Sequence, residues 1–227
     1  MQHIISIDTE TGGFNNKVNA LLSIGIAYAV LDDSGEIKNF NFKKEWHISN
    51  PAYIVIEKSP TDCIYPIVVE KQALEINKID IEDFKTNGVS LKQAEDEILN
   101  YINNIPKEHK YAILGQNLKF DLGFIRVNMP TLYDKIMRCP THHELRTASM
   151  MYNILKYGDV SRRTAMDEMR KELNIQSEGQ THSALTDAID NIKVFSEIQK
   201  VTKRAHVLIY DAVELVNNTL KDGLNKE

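Results

Sequence analysis

The chain has 227 residues, of which 42% are hydrophobic and 26% are charged, and its formal net charge at pH 7 is −5. This composition is typical of a folded globular protein and argues against a disordered chain, a disulfide framework or a membrane-spanning segment. The acidic balance argues against a protein that coats nucleic acid by charge alone, but it is compatible with a nuclease whose metal ligands are carboxylates. Because the chain has two cysteines, Cys63 and Cys139, and no secretion signal at its start, a reducing, cytoplasmic setting is expected.

Strand patterns dominate the first part of the chain. Apolar runs predict three strands, over Ile4–Asp8, Leu21–Leu31 and Ile37–Ile48. Turn residues at 32–35 predict a hairpin between the second strand and the third. An irregular or weakly extended stretch is expected over residues 51–66, and a helix over residues 68–76. Ser90 is expected to cap a further helix, because apolar residues follow it at helical spacing.

The second part of the chain alternates between strand and helix patterns. A buried strand is predicted over Tyr111–Leu114, and a helix is expected to begin at about Phe120. Further helices are predicted over residues 148–156, 162–173, 184–201 and 204–220. The pair His142–His143 is interpreted as a solvated loop, because no partner stands at metal-ligand spacing. Strands followed by strand–helix alternation predict an α/β fold with a mixed sheet flanked by helices.

Two carboxylates stand at the end of the first predicted strand. Asp8 and Glu10 are two residues apart, and strand side chains alternate, so both point to the same face and could reach one metal ion. The following segment, Thr11–Gly13, ends the strand and lets the backbone approach a ligand closely. The alternative is a strand that simply runs into a polar turn, and the pair alone does not decide between the two.

A third carboxylate follows the predicted strand Tyr111–Leu114. Asp121 lies where a helix is expected to begin, and ligands in α/β folds gather at the carboxyl ends of such strands. The alternative is that Asp121 only complements the helix dipole from the first turn.

His182 and Asp187 form the last candidate pair. At about 100° per residue, two residues five apart on one helix point roughly 140° away from each other. They could not face one site from within the same helix, so His182 is expected on the loop before the helix, with Asp187 one turn in. The alternatives are a capping or surface histidine and an aspartate that complements the helix dipole.

The four carboxylates and the imidazole suit one kind of chemistry when taken together. Two Mg²⁺ ions about 3.5–4 Å apart can hold the attacking and leaving oxygens of a phosphodiester displacement, and Mg²⁺ prefers carboxylate oxygens and water. The attacking water needs a base that titrates near neutrality, which histidine provides. The set therefore predicts phosphodiester cleavage.

The order of these residues, Asp-x-Glu, then Asp, then His-x4-Asp, resembles the DEDDh class of 3′→5′ exonucleases. The flanks resemble the class as well: residues 117–121 match its second motif and residues 182–187 its third. Residues 10–22, 73–80 and 180–187 are similar to the ribonuclease T branch, so the likeness extends over most of the chain.

This resemblance implies a ribonuclease H-like fold, with a central mixed five-stranded sheet, and a single exonuclease domain over residues 1–227. It implies two Mg²⁺ ions, for which Mn²⁺ can substitute, and His182 as the residue that activates water. The metal ligands it implies are Asp8, Glu10, Asp121 and Asp187. The implied partners are single-stranded RNA or DNA 3′ ends and a second copy of the chain in a homodimer, with no membrane.

The resemblance also implies substrate contacts. Phe14 and Phe120 fall where the family stacks aromatic rings on terminal bases, and Thr11 and Asn117 are expected to contact substrate beside them. The alternatives are that Phe120 is a core residue and Phe14 a loop packing residue. Ile76 departs from the ribonuclease T branch, which has a further stacking phenylalanine there, so the substrate of that branch does not carry over.

Two rival functions share the same fold. A proofreading exonuclease associated with a polymerase would prefer mismatched DNA ends, and a non-catalytic nucleic-acid-binding module would be expected to lose one of the five residues. The choice between RNA and DNA depends on contacts to a 2′-hydroxyl, to which no residue can be assigned. Arg162, Arg163, Arg170 and Lys171 are interpreted as the solvated face of a helix, with a basic rim for phosphates as the alternative.

Overall fold

The computed structural model describes residues 1–60, 65–179 and 182–224, with side chains described through residue 210. A five-stranded mixed sheet, in the order β3-β2-β1-β6-β7, forms its centre, and a two-stranded sheet of β4 and β5 stands beside it. The strands are β1 (Gln2–Thr11), β2 (Leu21–Leu31), β3 (Ile37–His47), β4 (Ile54–Ile56), β5 (Val68–Glu70), β6 (Tyr111–Gly115) and β7 (His142–Glu144). The predicted five-stranded mixed sheet is confirmed.

The helices cover both faces of this sheet. They are α1 (Lys71–Asn77), α2 (Ile81–Asn87), α3 (Leu91–Asn103), α4 (Leu118–Asn128), α5 (Pro130–Met137), α6 (Leu145–Tyr157), α7 (Met166–Glu172) and α8 (Ala184–Leu224). Among the residues that the structure describes, no helix is both long and apolar enough to cross a membrane. The cap predicted at Ser90 is confirmed, because its hydroxyl accepts a hydrogen bond from the Gln93 backbone N–H at 3.1 Å.

Three element predictions are wrong. Residues 68–70 form strand β5 rather than the start of a helix, because they pair in parallel with β4. His142 and His143 belong to strand β7 rather than to a loop, because they pair with β6 at the sheet edge. The two helices predicted over 184–201 and 204–220 are one continuous helix, α8.

Strand β1 lies at the centre of the sheet and sets the position of the site. It runs antiparallel to β2 and parallel to β6, so its carboxyl end meets that of β6 at one edge. Ile5 and Ile7 pack on one face with helices α3, α4 and α5, while Ile4 packs on the other face with α6, α7 and α8. Burial on both faces keeps β1 rigid, so residues at its carboxyl end are held in fixed positions.

A smaller layer of β4, β5, α1 and α2 packs beside the tip of β1. Its core includes Tyr53, Val69 and Phe84. Gly12 joins it to the sheet: its N–H donates to the Ala20 carbonyl, and its carbonyl accepts from the Glu70 N–H, both at 2.8 Å. A side chain at Gly12 would place its Cβ 2.6 Å from the Val68 carbonyl oxygen, so glycine is needed for this close approach.

Candidate active site

Three carboxylates meet at the carboxyl end of β1. Asp8 and Glu10 stand on the same side of the strand, and Asp187 reaches them from the first turn of α8. Each side chain offers one carboxylate oxygen, and these three oxygens lie within 4.8 Å of one another. The sequence alternation therefore places Asp8 and Glu10 as expected, and helix α8 adds the third carboxylate.

Asp121 approaches the same strand end from α4. Its side chain is buried, and its Oδ1 accepts a hydrogen bond from the Thr9 hydroxyl at 2.6 Å. Its Oδ2 is also buried, and within the described part of the chain it has no hydrogen-bond partner. A buried carboxylate oxygen without a partner is costly, and a metal ion beside it would remove that cost.

The carboxylates raise one another's pKa. Burial raises the pKa of Glu10 to about 8, and the charge of Asp187 adds to the effect. Burial, followed by the charges of Asp121 and Asp187, holds the pKa of Asp8 well above its usual range. Burial also raises the pKa of Asp121 to about 7, against the opposing hydrogen bond from Thr9. Like charges this close resist joint ionisation, so a bound cation would stabilise the ionised forms.

Asp187 differs from the other three because a cation lies near it. Burial raises its pKa to about 6, while the charges of Arg170 and His182 oppose that rise. The Arg170 Nη1 atom lies 3.6 Å from the Asp187 Oδ1 atom. Together the four carboxylates have the hard oxygen donors and the unbalanced negative charge that fit divalent cations such as Mg²⁺.

His182 lies on the turn just before α8, as the helix geometry predicted. Its side chain is exposed, and its φ of 62° puts it in the left-handed region that non-glycine residues rarely occupy. Its charge lowers the pKa of Asp187, so His182 lies near that carboxylate. Gln180 and Thr181, which belong to the same sequence motif, lie outside the described residues, as does Cys63.

The start of α8 rests directly on the sheet at Gly25. In the sheet register Gly25 pairs with Asp8 on one side and with Glu45 on the other. A Cβ atom at Gly25 would lie only 2.2 Å from the Ala184 carbonyl carbon, so the helix could not approach as closely over any other residue. This contact sets the height of Asp187 above Asp8.

Sequence reasoning missed Glu45, which lies on β3 close to the cluster. Its charge contributes to the raised pKa of both Asp8 and Glu10. It also accepts hydrogen bonds from Ser183 and from the backbone of Ala184. Nothing in the local sequence marks it, since only the register of β3 against β2 brings it to this edge.

Arg170 was interpreted as part of a solvated helix face or a basic rim, and both interpretations are wrong. Its side chain is only 11% exposed, and its Nη1 lies 2.6 Å from Oδ2 of the fully buried Asp190. The helix predicted over 162–173 begins only at Met166, so Arg162 and Arg163 precede it. Arg170 therefore braces Asp187 and Asp190 and is not free to bind a phosphate.

Two aromatic rings lie next to the acidic cluster along the chain. Phe14 follows the end of β1 and is 87% exposed, which is unusual for a phenylalanine. Its ring meets that of Phe120 edge to face, with centroids 6.3 Å apart. Phe120 is partly buried against Phe124 on α4. The Phe14 ring is thus largely exposed to solvent, while Phe120 packs against the core.

Thr11 and Asn117 shape the backbone around the site. The Thr11 hydroxyl donates to the Gly13 carbonyl at 2.8 Å, so it stabilises the turn before Phe14. Asn117 adopts a left-handed conformation at the start of α4, and its backbone N–H donates to Glu144 Oε1 at 2.7 Å. These contacts orient the elements that carry Phe14 and Asp121.

A cavity of about 830 Å³ lies elsewhere, at the amino end of β1. It is lined by His3, His109, Lys110 and Arg138, among others, and by none of the clustered carboxylates. Cavity size alone would therefore point to the wrong end of the sheet.

This arrangement has close counterparts among known proteins. Residues 3–199 match a family described as the 3′-5′ exoribonuclease Rv2179c-like domain. The chain belongs to this family. The Rv2179c-like match confirms the membership predicted from the five motif residues, in the DEDD superfamily of 3′→5′ exonucleases.

Curated relatives of this Rv2179c-like chain have related names. Ribonuclease T of Vibrio campbellii is 28% identical over 202 residues, which are 86% of this chain and 84% of that protein. An oligoribonuclease of Corynebacterium diphtheriae is 32% identical over 114 residues, which are 50% of this chain and 48% of that protein. The alignment to several of these curated relatives spans only about half their length.

Solved structures agree on the fold. A structure of exonuclease I has a TM-score of 0.65 at 13% identity, over 93% of this chain and 44% of that one. A 3′-exonuclease specific for the 3′ end of a histone mRNA stem-loop has a TM-score of 0.60 at 12% identity, over 88% and 64% of the two chains. At such identities the likeness concerns the fold alone, and it confirms the predicted ribonuclease H-like architecture of the Rv2179c-like chain.

Proposed function

We propose that the protein is a metal-dependent 3′→5′ exonuclease that releases nucleoside 5′-monophosphates from single-stranded ends. The observation that carries the proposal is the meeting of Asp8, Glu10 and Asp187 within 4.8 Å, with Asp121 buried beside them. Four carboxylates in one place repel one another and raise their pKa values, an arrangement with no purpose in a protein that binds no cation.

Asp8, Glu10, Asp121 and Asp187 would hold the metal ions. Once bound, divalent cations neutralise the carboxylates and stabilise the charge that develops on a phosphodiester during hydrolysis. Mg²⁺ is the proposed ion, with Mn²⁺ as a substitute, because every donor is a carboxylate oxygen and no thiolate or imidazole lies in the clustered set.

His182 would act as the general base. Its exposed position on the turn before α8 lets it take a proton from a water molecule, which then attacks the terminal phosphodiester. Its place outside the helix matters because the imidazole can approach the substrate without displacing Asp187. Imidazole titrates near neutrality, so it is available as a base at physiological pH.

Phe14 and Phe120 support a single-stranded substrate. The exposed ring of Phe14 and the adjoining edge of Phe120 offer apolar surface for an unpaired terminal base. Stacking on an aromatic ring tolerates any base and contributes about 1–3 kcal/mol per base. RNA is the favoured substrate class, because the family description and the names of the curated relatives refer to ribonucleases.

The far part of α8 supports a homodimer. Helix α8 has 41 residues, and its side chains Val207, Leu208, Ile209 and Tyr210 are each more than half exposed. Exposed apolar residues on a helix that extends beyond the core are suited to packing against a second copy. Light scattering at several protein concentrations measures the oligomeric state, and a monomer at all of them would contradict the dimer.

The free thiol of Cys139 suits the proposed cytoplasmic setting.

The test of the proposed function compares the wild type with Asp8→Ala and His182→Ala on a 3′-labelled single-stranded oligonucleotide. Wild type with Mg²⁺ should release labelled mononucleotide, and each variant should lose at least about 100-fold of that rate. Matched ribo- and deoxyribo-oligonucleotides assign the sugar preference. Variants that degrade the substrate as fast as the wild type would overturn the assignment.

A further inference from the structure

We propose that Glu45 is a positioning residue for catalysis, which fixes the His182 turn and the first turn of α8 against the sheet. This inference rests on the proposed exonuclease function. Glu45 belongs to none of the motif segments and lies on β3, two strands away from the strand that carries Asp8 and Glu10.

The hydrogen bonds of Glu45 connect three separate segments. Its Oε2 accepts from the Ser183 hydroxyl at 2.7 Å, and its Oε1 accepts from the Ala184 backbone N–H at 3.2 Å. Its Oε1 also accepts from the Ser23 hydroxyl on β2 at 2.9 Å. One carboxylate therefore ties β2 and β3 to residues 183 and 184, which directly follow His182.

The Glu45 carboxylate also caps the amino end of α8, although Glu45 itself belongs to strand β3. The first N–H groups of a helix lack partners within it, and a negative charge there is favourable to the helix dipole. Glu45 satisfies the Ala184 N–H, while the Ser183 hydroxyl accepts more weakly from the Thr186 N–H at 3.4 Å. Asp187 stands in this same first turn, so the cap fixes the turn that carries a proposed metal ligand.

The sheet leaves room for this arrangement at Gly25. Gly25 separates Asp8 from Glu45 in the sheet register, and its missing side chain lets Ala184 lie directly on the strand. The close approach at Gly25 sets how near the start of α8 lies to the sheet, and the hydrogen bonds to Glu45 fix its position along the sheet. Without Glu45, Ala184 would still pack on Gly25, but residues 183 and 184, which follow His182, would lose their hydrogen bonds to β3.

The charge of Glu45 points to function rather than to packing alone. It adds a negative charge next to a cluster that already repels itself, and His47 is its only described basic neighbour, at 3.8 Å and half exposed. A glutamine has one acceptor oxygen, so it could accept from Ser23 and Ala184 without this repulsion, but it would meet the Ser183 hydroxyl with its amide nitrogen. A carboxylate is favoured when divalent cations occupy the neighbouring site, because it then adds to their attraction.

The experiment measures kcat, KM and the Mg²⁺ dependence of cleavage for Glu45→Ala and Glu45→Gln. Supporting side chains around metal sites typically contribute about 10–100-fold, so Glu45→Ala should lower kcat by about that factor with little change in KM. Glu45→Gln keeps an oxygen that can accept from Ser23 and Ala184, and its amide N–H can donate to the Ser183 hydroxyl, so it should recover most of kcat while requiring more Mg²⁺.

Glu97→Ala is the matched control. Glu97 lies on α3, and its Oε2 accepts a hydrogen bond at 2.8 Å from Nε1 of Trp46, the neighbour of Glu45 on β3. Its loss perturbs the same strand and should leave kcat and the Mg²⁺ dependence unchanged. Hydrogen exchange at the start of α8, measured without metal, adds a readout that does not depend on activity: it should accelerate in Glu45→Ala and stay unchanged in Glu97→Ala.

Three outcomes overturn the inference. They are a Glu45→Ala kcat equal to that of the wild type, a Glu97→Ala loss as large as that of Glu45→Ala, and a Glu45→Gln variant no better than Glu45→Ala. If Glu45→Ala does not fold, Ser183→Ala removes the partner of Oε2 and should lower kcat in the same direction, and an unchanged kcat there counts against the inference. A wild type that cleaves no oligonucleotide would refute the proposed function itself.

Discussion

The crowding of carboxylates predicts that Glu10→Gln stabilises the metal-free protein while abolishing its activity. Glu10 is 8% exposed, and burial together with the charge of Asp187 raises its pKa from 4.5 to about 8. Such a carboxyl is protonated more readily in the folded chain than in the unfolded chain. The loss of folding stability caused by Glu10 is therefore absent at low pH and grows as the pH rises from about 4.5 toward 8.

The raised pKa of Glu10 gives the expected gain in the free energy of unfolding for Glu10→Gln. One pKa unit corresponds to about 1.4 kcal/mol, so the ionised Glu10 costs about 4 kcal/mol at pH 8 as an upper bound. Local relaxation and water entry reduce this to about 2 kcal/mol, which for a chain of this size raises Tm by roughly 4–8 °C. At pH 5 the same substitution should gain less than about 1 kcal/mol.

The assay is thermal unfolding of wild type and Glu10→Gln in a chelator at pH 5 and pH 8. Glu108→Gln, an exposed glutamate remote from the site, is the control and should leave Tm unchanged at both pH values. Adding Mg²⁺ should raise the Tm of the wild type more than that of Glu10→Gln. A Glu10→Gln variant less stable than the wild type at pH 8 in chelator would refute the reasoning, because Glu10 would then have a stabilising partner.

Three further substitutions test the supports of the site. Gly25→Ala places a methyl group 2.2 Å from the Ala184 carbonyl carbon and should lower both Tm and kcat. A wild-type kcat in this variant would show that the close packing of α8 on Gly25 does not position the site. Arg170→Met leaves the buried Asp190 carboxylate without its ion-pair partner and should lower the free energy of unfolding by about 3–5 kcal/mol in chemical denaturation. An unchanged denaturation midpoint would show that this ion pair does not stabilise the fold. Phe14→Ala should raise KM about 5–100-fold with an unchanged Tm, because its ring is 87% exposed; an unchanged KM would exclude base stacking.

Local patterns predicted the four longest strands, β1, β2, β3 and β6, and the local placement of the acidic residues well. The bounds of β2 were predicted to the residue, since all eleven of its residues are buried and form one apolar run. Alternation along β1 put Asp8 and Glu10 on one side, and helix geometry put His182 on the turn before α8. These features depend on period and spacing, which the sequence displays directly.

Contacts between distant segments could not be read in the same way. Glu45 lies 138 residues from Ser183, and nothing in its neighbourhood distinguishes it from a solvent-facing strand residue. The burial of Arg170 depends on Asp190 on another helix. Both relations arise only when α7 and α8 pack on the sheet, so neither could be predicted from spacing along the chain.

Short elements were predicted poorly for a related reason. Residues 68–70 became a strand only because β4 offers them a parallel partner, and the sequence around them also fits a helix. The break predicted near residues 202–203 does not occur: no glycine or proline stands there, and α8 continues through both residues. Whether such segments form a strand, a helix or a break depends on the tertiary partners that they meet.

The direction of cleavage tests the central claim most directly. A single-stranded RNA labelled at its 5′ end is incubated with wild type and Mg²⁺, with a chelator arm and an Asp121→Asn arm beside it. The proposed 3′→5′ exonuclease activity should give a ladder that shortens from the 3′ end with release of nucleoside 5′-monophosphates, and no shortening in the other two arms. Internal cuts, shortening that persists in chelator, or an Asp121→Asn variant as active as the wild type would contradict it.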